Sequence, residues 1–145
     1  MAEVYLDTSA LIKLYVAEPH SAGVEQLVAE ADGIVINRLG VLEWHCAMAR
    51  RLRTGQITPD YMNLARTEFT RHLTEGYYRI VPYSDPLLSD ALRVLDSANP
   101  IPLRTLDTIH LTAARNAGLA YIATADDVMR RAAQHLQLEV AYFGD

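Results

Sequence analysis

Two spacings of apolar residues alternate along this chain, and the switches between them divide it into short extended runs and longer helical ones. Val4-Tyr5-Leu6 is a β-prone run that stops at Asp7, and Ser9-Ala10-Leu11-Ile12-Lys13-Leu14-Tyr15 then follows helical spacing. Further β-prone runs are Ile34-Val35-Ile36, Arg79-Ile80-Val81, Ala120-Tyr121-Ile122-Ala123 and Val140-Ala141-Tyr142. Helical spacing covers about Ser21 to Ala31, Leu39 to Thr54, Thr58 to Thr74, Ser84 to Ser97, Thr105 to Ala117 and Asp126 to Leu136. Gly55 and Gly118 read as helix stops, and Thr58-Pro59 reads as a cap followed by proline at the first helical position.

Strands that alternate with helices predict an α/β fold with three layers, a mostly parallel sheet covered by helices on both faces. Open sheets of this kind bind ligands at the carboxyl ends of their strands, near a switch in strand order. Asp7 and Asp126 fall just past two such ends. Glu43 follows the second strand by one short loop, and Asp107 opens the helix that precedes the fourth. Convergence of these four acids at one edge of the sheet is therefore expected.

Composition narrows the picture in three ways. A length of 145 residues with 50% hydrophobic content suits one domain spanning 1–145. The single cysteine, Cys46, has no partner for an intramolecular disulfide, and no apolar run is long enough to cross a bilayer. With no charged-then-apolar leader either, a cytoplasmic protein without a membrane partner is expected. The net charge of −5 argues mildly against nonspecific polyanion binding. That objection weakens if several of the acids hold divalent cations.

Each acid also suits a plain structural role. Asp7, ahead of Thr8 and Ser9, can cap a helix or hold a cation with a neighbouring hydroxyl as supporting donor. Glu43 lies on a helix that is apolar nearly all round. At about 100° per residue, Arg50 projects within about 20° of it and Arg53 roughly 80° away, giving one polar stripe of an acid followed by bases. Asp107 is favoured in a first helical turn by the helix dipole, and His110 one turn on is a packed, hydrogen-bonded histidine or a group that orients Asp107. Of the adjacent pair, Asp126 emerges first from its strand and is read as the ligand, leaving Asp127 as the cap. Four carboxylates together suit Mg²⁺ or Mn²⁺, which favour oxygen donors and serve in-line displacement at phosphorus. Zinc is disfavoured because no close His/Cys set is visible.

The segment from Val4 to Tyr15 resembles the first motif of PIN domains, especially the VapC toxins of type II toxin-antitoxin pairs. Leu42-Glu43-Trp44 is similar to the second acidic motif, the run from Leu103 to Leu111 to the third, and Ala123-Thr124-Ala125-Asp126-Asp127 to the fourth. The resemblance spans essentially the whole chain. It implies an endoribonuclease whose metal and catalytic acids are Asp7, Glu43, Asp107 and Asp126, holding Mg²⁺ or Mn²⁺. Thr8, Thr124 and Asp127 would support them, and the substrate would be RNA, such as tRNA or rRNA. It further implies a homodimer and a cognate antitoxin, with DNA contacted only through the antitoxin. The residues Trp44-His45-Cys46 depart from the smaller or aliphatic ones expected after the second acid, which points to altered packing there. On the helix from Thr58, the residues Tyr61, Leu64, Ala65 and Phe69 suit core packing more than a partner groove.

Two other functions compete on the sequence alone, a catalytically silent binding module of the same fold and a housekeeping RNA-processing nuclease. A phosphoacceptor domain is disfavoured, because no Asp-x-Asp pair opens the chain and no lysine follows Lys13.

Overall fold

All five expected strands form, and every one pairs in parallel. The computed structural model describes residues 2–145. In chain order the elements are β1 (Val4–Leu6), α1 (Thr8–Leu11), a 3-10 turn (Ile12–Leu14), α2 (Ser21–Glu30), β2 (Ile34–Asn37), α3 (Arg38–Arg53) and α4 (Pro59–Thr74). They continue with β3 (Tyr78–Val81), α5 (Asp85–Ala98), α6 (Thr105–Asn116), β4 (Tyr121–Thr124), α7 (Asp127–His135) and β5 (Glu139–Tyr142). The expected helix from Ser9 to Tyr15 is shorter than its spacing suggests, tightening into the 3-10 turn at Ile12, a common way for a helix to end.

The strand order is β3-β2-β1-β4-β5. Tyr5 is opposite Val35 on one side and Ile122 on the other, so β1 is the central strand. Each strand reaches the next through helix, which is what parallel pairing requires. Because the chain builds outward from β1 through β2 and β3 and then returns to β1's other side with β4, the order reverses between β1 and β4. That is the switch point at which such sheets bind ligands.

Strand alternation distributes β1 and β2 between two cores. Val4, Leu6, Ile34 and Ile36 face α2, α3 and α4, where Val24, Trp44, Met48 and Phe69 are buried. Tyr5, Val35 and Ile122 face α5, α6 and α7, with Leu87, Ile109, Leu111 and Met129. Both faces being covered explains why these strands read as continuous apolar runs.

Trp44 shows how the departure after Glu43 is absorbed. Its ring is wholly buried, stacks on Phe69 at 4.3 Å between centroids and meets the edge of Tyr15, while its Nε1 has no acceptor. Cys46 is exposed. On α4 the apolar positions divide: Ala65 and Phe69 enter the core, whereas Leu64 is 74% exposed and Tyr61 donates from its hydroxyl to the Tyr15 carbonyl at 2.7 Å. The helix punctuation follows expectation, since Gly55 and Gly118 have φ of 75° and 77°, and Thr58 accepts from the Tyr61 amide at 3.1 Å.

Candidate active site

The carboxyl ends of β1 and β4 lie side by side, joined where the Asp7 amide donates to the Ala123 carbonyl at 3.2 Å. Asp7 caps the short α1 by accepting from the Ala10 amide at 3.0 Å, so its expected structural role is real. It also does more. Ser9 Oγ donates to Asp7 Oδ1 at 2.6 Å, and Thr124 Oγ1, from the end of β4, donates to Oδ2. The same Thr124 hydroxyl accepts from the Asp126 amide at 3.0 Å, tying the first acid to the fourth across the switch point. Asp7 is 3% exposed, and burial raises its pKa against the lowering effects of the His110 charge and of its donors.

Glu43 comes from α3, which begins directly at the end of β2 rather than after a loop, because Asn37 Oδ1 caps it by accepting from the Gly40 amide at 2.7 Å. That bond turns the Asn37 amide nitrogen toward Tyr5 Oη at 2.6 Å and His110 Nδ1 at 3.0 Å. Tyr5 Oη is itself 2.7 Å from Nδ1. With two donors facing Nδ1, the neutral ring carries its proton on Nε2 and donates it to Glu43 Oε1 at 2.6 Å. His110 therefore orients Glu43 and not Asp107; one turn along α6, its ring reaches across to α3. Thr8 Oγ1 donates to the same Glu43 oxygen at 2.9 Å. Both donors grip Oε1, which leaves Oε2 without a hydrogen bond among the described residues.

Opposed effects set the charges of this pair. Burial acts to lower the His110 pKa, but the Glu43 hydrogen bond and the charges of Asp7, Glu43 and Asp107 outweigh it and raise it. Burial acts to raise the Glu43 pKa, but the His110 hydrogen bond and charge, Thr8 and the charge of Arg104 outweigh it and lower it. A second proton on Nδ1 meets the Asn37 amide, which works against the imidazolium.

Asp107 and Asp126 meet through Arg104. Asp107 Oδ2 accepts from the Arg104 amide at 3.3 Å, closing the first turn of α6, and from Arg104 Nε at 3.1 Å. The Nη2 of the same guanidinium donates to Asp126 Oδ2 at 3.1 Å. The expected division of the adjacent acids is corrected on the cap: Asp126 caps α7, accepting from the Met129 amide at 2.9 Å through Oδ1. Its helix starts one residue later than the periodicity suggests, so Asp126 keeps the extended backbone a cap needs. Asp127 is exposed, pairs with Arg130 and lies 3.5 Å from Arg131.

Hydrogen bonds thus link three of the four acids, Asp7 through Thr124 to Asp126 and Asp126 through Arg104 to Asp107, while Glu43 is tied through Thr8 and His110 to α1 and α6. Among the described residues, no three or more His, Cys, Asp or Glu side chains stand in an arrangement that could hold a metal ion. The cationic partner of Asp107 and Asp126 is a guanidinium. The donors that face it are carboxylate oxygens, the chemistry that Mg²⁺ and Mn²⁺ prefer, and a positive charge is already held between two of them. Arg50 and Arg53, at the far end of α3, are exposed and make none of the ion pairs among the described residues, while their neighbour Arg51 is held by Glu18 at 2.7 Å. Tyr5, Asn37 and Arg104 are absent from the sequence-level candidates. Asn37 carries the signal of a capping residue between an apolar strand and a helix, and Arg104 lies three residues before Asp107. Tyr5 carries none, because its role depends on which strands become neighbours.

The family model of the PIN domain matches residues 4–134. Ribonuclease VapC46 of Mycobacterium tuberculosis is 36% identical over 152 residues, covering 97% of this chain and 97% of its own. Among solved structures, VapC20 of Mycobacterium tuberculosis, described as a toxin that cleaves the sarcin-ricin loop, superposes with a TM-score of 0.68 at 14% identity, covering 89% of this chain and 94% of that one. VapBC2 of Rickettsia felis, bound to a DNA fragment from its promoter, gives 0.66 at 10% identity over 97% and 98%.

Proposed function

The chain belongs to the PIN domain family, and from that premise we propose that it is an endoribonuclease that hydrolyses RNA phosphodiester bonds with Mg²⁺ or Mn²⁺. One observation carries the reading: beside the ends of β1 and β4, Asp7, Asp126 and Asp107 are joined in turn through Thr124 and Arg104, so that a cation already spans two of these acids. The similarity to a ribonuclease over 97% of the chain supports the same chemistry.

Asp7, Glu43, Asp107 and Asp126 would supply the carboxylate oxygens for the metal, after moving from the positions they hold here. When bound, it supplies charge stabilisation of the phosphate oxygens and lowers the pKa of a water. The chain's own residues do the rest. In hydrolysis the water oxygen bonds to phosphorus, the bridging oxygen leaves with the bonding pair and takes a proton, and the water's proton passes to a base. Thr8 and His110 fix Oε1 of Glu43, which would keep its other oxygen available to the metal. Ser9 and Thr124 hold the Asp7 carboxylate in one orientation. Arg50 and Arg53 carry the flanking phosphates, for which guanidinium forks supply charge and geometry.

In the cell the chain is the toxin of a type II pair, a homodimer acting in the cytoplasm on tRNA or rRNA. A cognate antitoxin blocks the acidic edge and makes the DNA contacts. The likeness in fold to a VapBC assembly on promoter DNA supports this role.

Incubation of the purified chain with total RNA tests the reaction. Cleavage is expected with Mg²⁺ or Mn²⁺, is lost with EDTA and returns when the cation is restored in excess. Undiminished cleavage in EDTA would overturn the metal-dependent reading, and no cleavage under any condition would favour a silent module.

A further inference from the structure

The acidic edge contains a cation of its own. Arg104 Nε and Nη2 donate at 3.1 Å to Asp107 Oδ2 and Asp126 Oδ2, two separate residues 19 positions apart in sequence, so one fork holds the third and fourth acids together. The two carboxylates are largely buried, with side-chain exposures of 11% and 29%, whereas the Arg104 side chain is 72% exposed. The acids are therefore the buried partners and the arginine the solvent-exposed one. Asp126 is held by its cap to Met129, and Asp107 by the Arg104 backbone amide, both of which survive removal of the guanidinium. Arg104 also lies near enough to Glu43 to act on it electrostatically, which puts its charge among three of the four acids.

We propose that Arg104 is a positioning residue that serves as the exchangeable counterion of this site, holding Asp107 and Asp126 together until a divalent cation takes the same two oxygens and releases it. The proposal rests on the nuclease reading only for the identity of the cation. Clustered carboxylates repel one another when nothing neutralises them, so an acidic edge that waits for metal needs an interim positive charge. A guanidinium suits that role because its fork spans two carboxylates, and its exposed stem lets it leave without disturbing the core. Metal and guanidinium then compete for the same atoms, and the competition sets how much free cation is needed for loading.

Calorimetric titration of Mn²⁺ into the wild type, R104Q and R104K, with thermal midpoints taken with and without Mn²⁺, tests this. R104Q should bind Mn²⁺ about tenfold more tightly, because two charge-assisted hydrogen bonds no longer oppose loading. Its midpoint should fall without metal and rise further than the wild type's on adding it. R104K keeps a point charge but loses the fork, and should fall between the two. A purely structural role would instead lower the midpoint equally with and without Mn²⁺ and leave affinity unchanged. Equal or weaker Mn²⁺ binding by folded R104Q overturns the proposal. If R104Q does not fold, R104K decides in the same way, tighter binding than wild type supporting it and equal binding overturning it. Absence of Mn²⁺ binding in all three proteins overturns both this proposal and the metal-dependent nuclease. Mn²⁺ binding that tightens in R104Q, in a protein that cuts no RNA, would sink the nuclease reading alone.

Discussion

His110 is 4% exposed, and its ring connects the floor of the site to its acids: Tyr5 and Asn37 on one nitrogen, Glu43 on the other. Folding raises its pKa from the ordinary 6.5, so its contribution to stability is complete below that value and is lost as pH rises through the folded one. Folding lowers the Glu43 pKa from 4.5, so that contribution is complete above 4.5 and is lost as pH falls through the folded value. The pair is thus strongest between the two. In chelator-treated buffer, H110Q should cost about 1–2 kcal/mol at pH 6, after allowance for the partial exposure of Glu43. The difference from wild type should shrink steadily toward pH 9, as read from urea unfolding at each pH. A gap that stays constant or widens would contradict the charged contribution. The four acids were legible because a charge just past an apolar strand, or on a helix otherwise apolar, asks for a reason. Tyr5 was not, since a tyrosine inside a buried strand looks like core until the strand beside it is known.

At the level of elements, the start of α7 carries two functions on one residue. Asp126 uses Oδ1 as the helix cap and Oδ2 toward Arg104, so charge and cap separate by mutation. D126N should keep the cap, because asparagine caps as well as aspartate, yet lose most turnover. D126A should lose turnover and about 1 kcal/mol of stability as well. D127N should leave both the thermal midpoint and turnover near wild type, its side chain facing solvent and Arg130. A loss of stability in D127N that matches D126A would return the cap to Asp127. The periodicity located every strand and helix within a few residues, because burial on both faces of the sheet or one face of a helix imposes a spacing that sequence displays. Two features escaped it. The cap of α7 differs from expectation by one residue, which periodicity does not resolve. The strand order β3-β2-β1-β4-β5 depends on long-range pairing that no local spacing records.

For the molecule as a whole, a net charge of −5 means that any binding of a polyanion has to rest on local cations. Twelve of its thirteen cationic side chains are arginine, with Lys13 the one exception, and Lys13 is committed to the Pro19 carbonyl at 2.8 Å and to Glu18. Arg50 is exposed on the helix that carries Glu43, two turns from it. Arg50→Ala should raise the Michaelis constant for RNA several-fold and reduce the salt slope of binding by about one phosphate contact, leaving Mn²⁺ affinity unchanged. An unaltered slope with a normal Michaelis constant would remove Arg50 from the substrate path. If the acidic edge cuts RNA, Asp7 is the acid to test, being its most buried member and held by donors from α1 and β4. Asp7→Asn keeps the volume and removes the charge, so the direct measurement is cleavage of RNA by wild type and D7N at saturating Mn²⁺, with circular dichroism confirming that both are folded. Folded D7N should cut more slowly by at least the roughly 10–100-fold that follows loss of an outer-shell metal partner, and wild-type turnover in folded D7N would contradict the account.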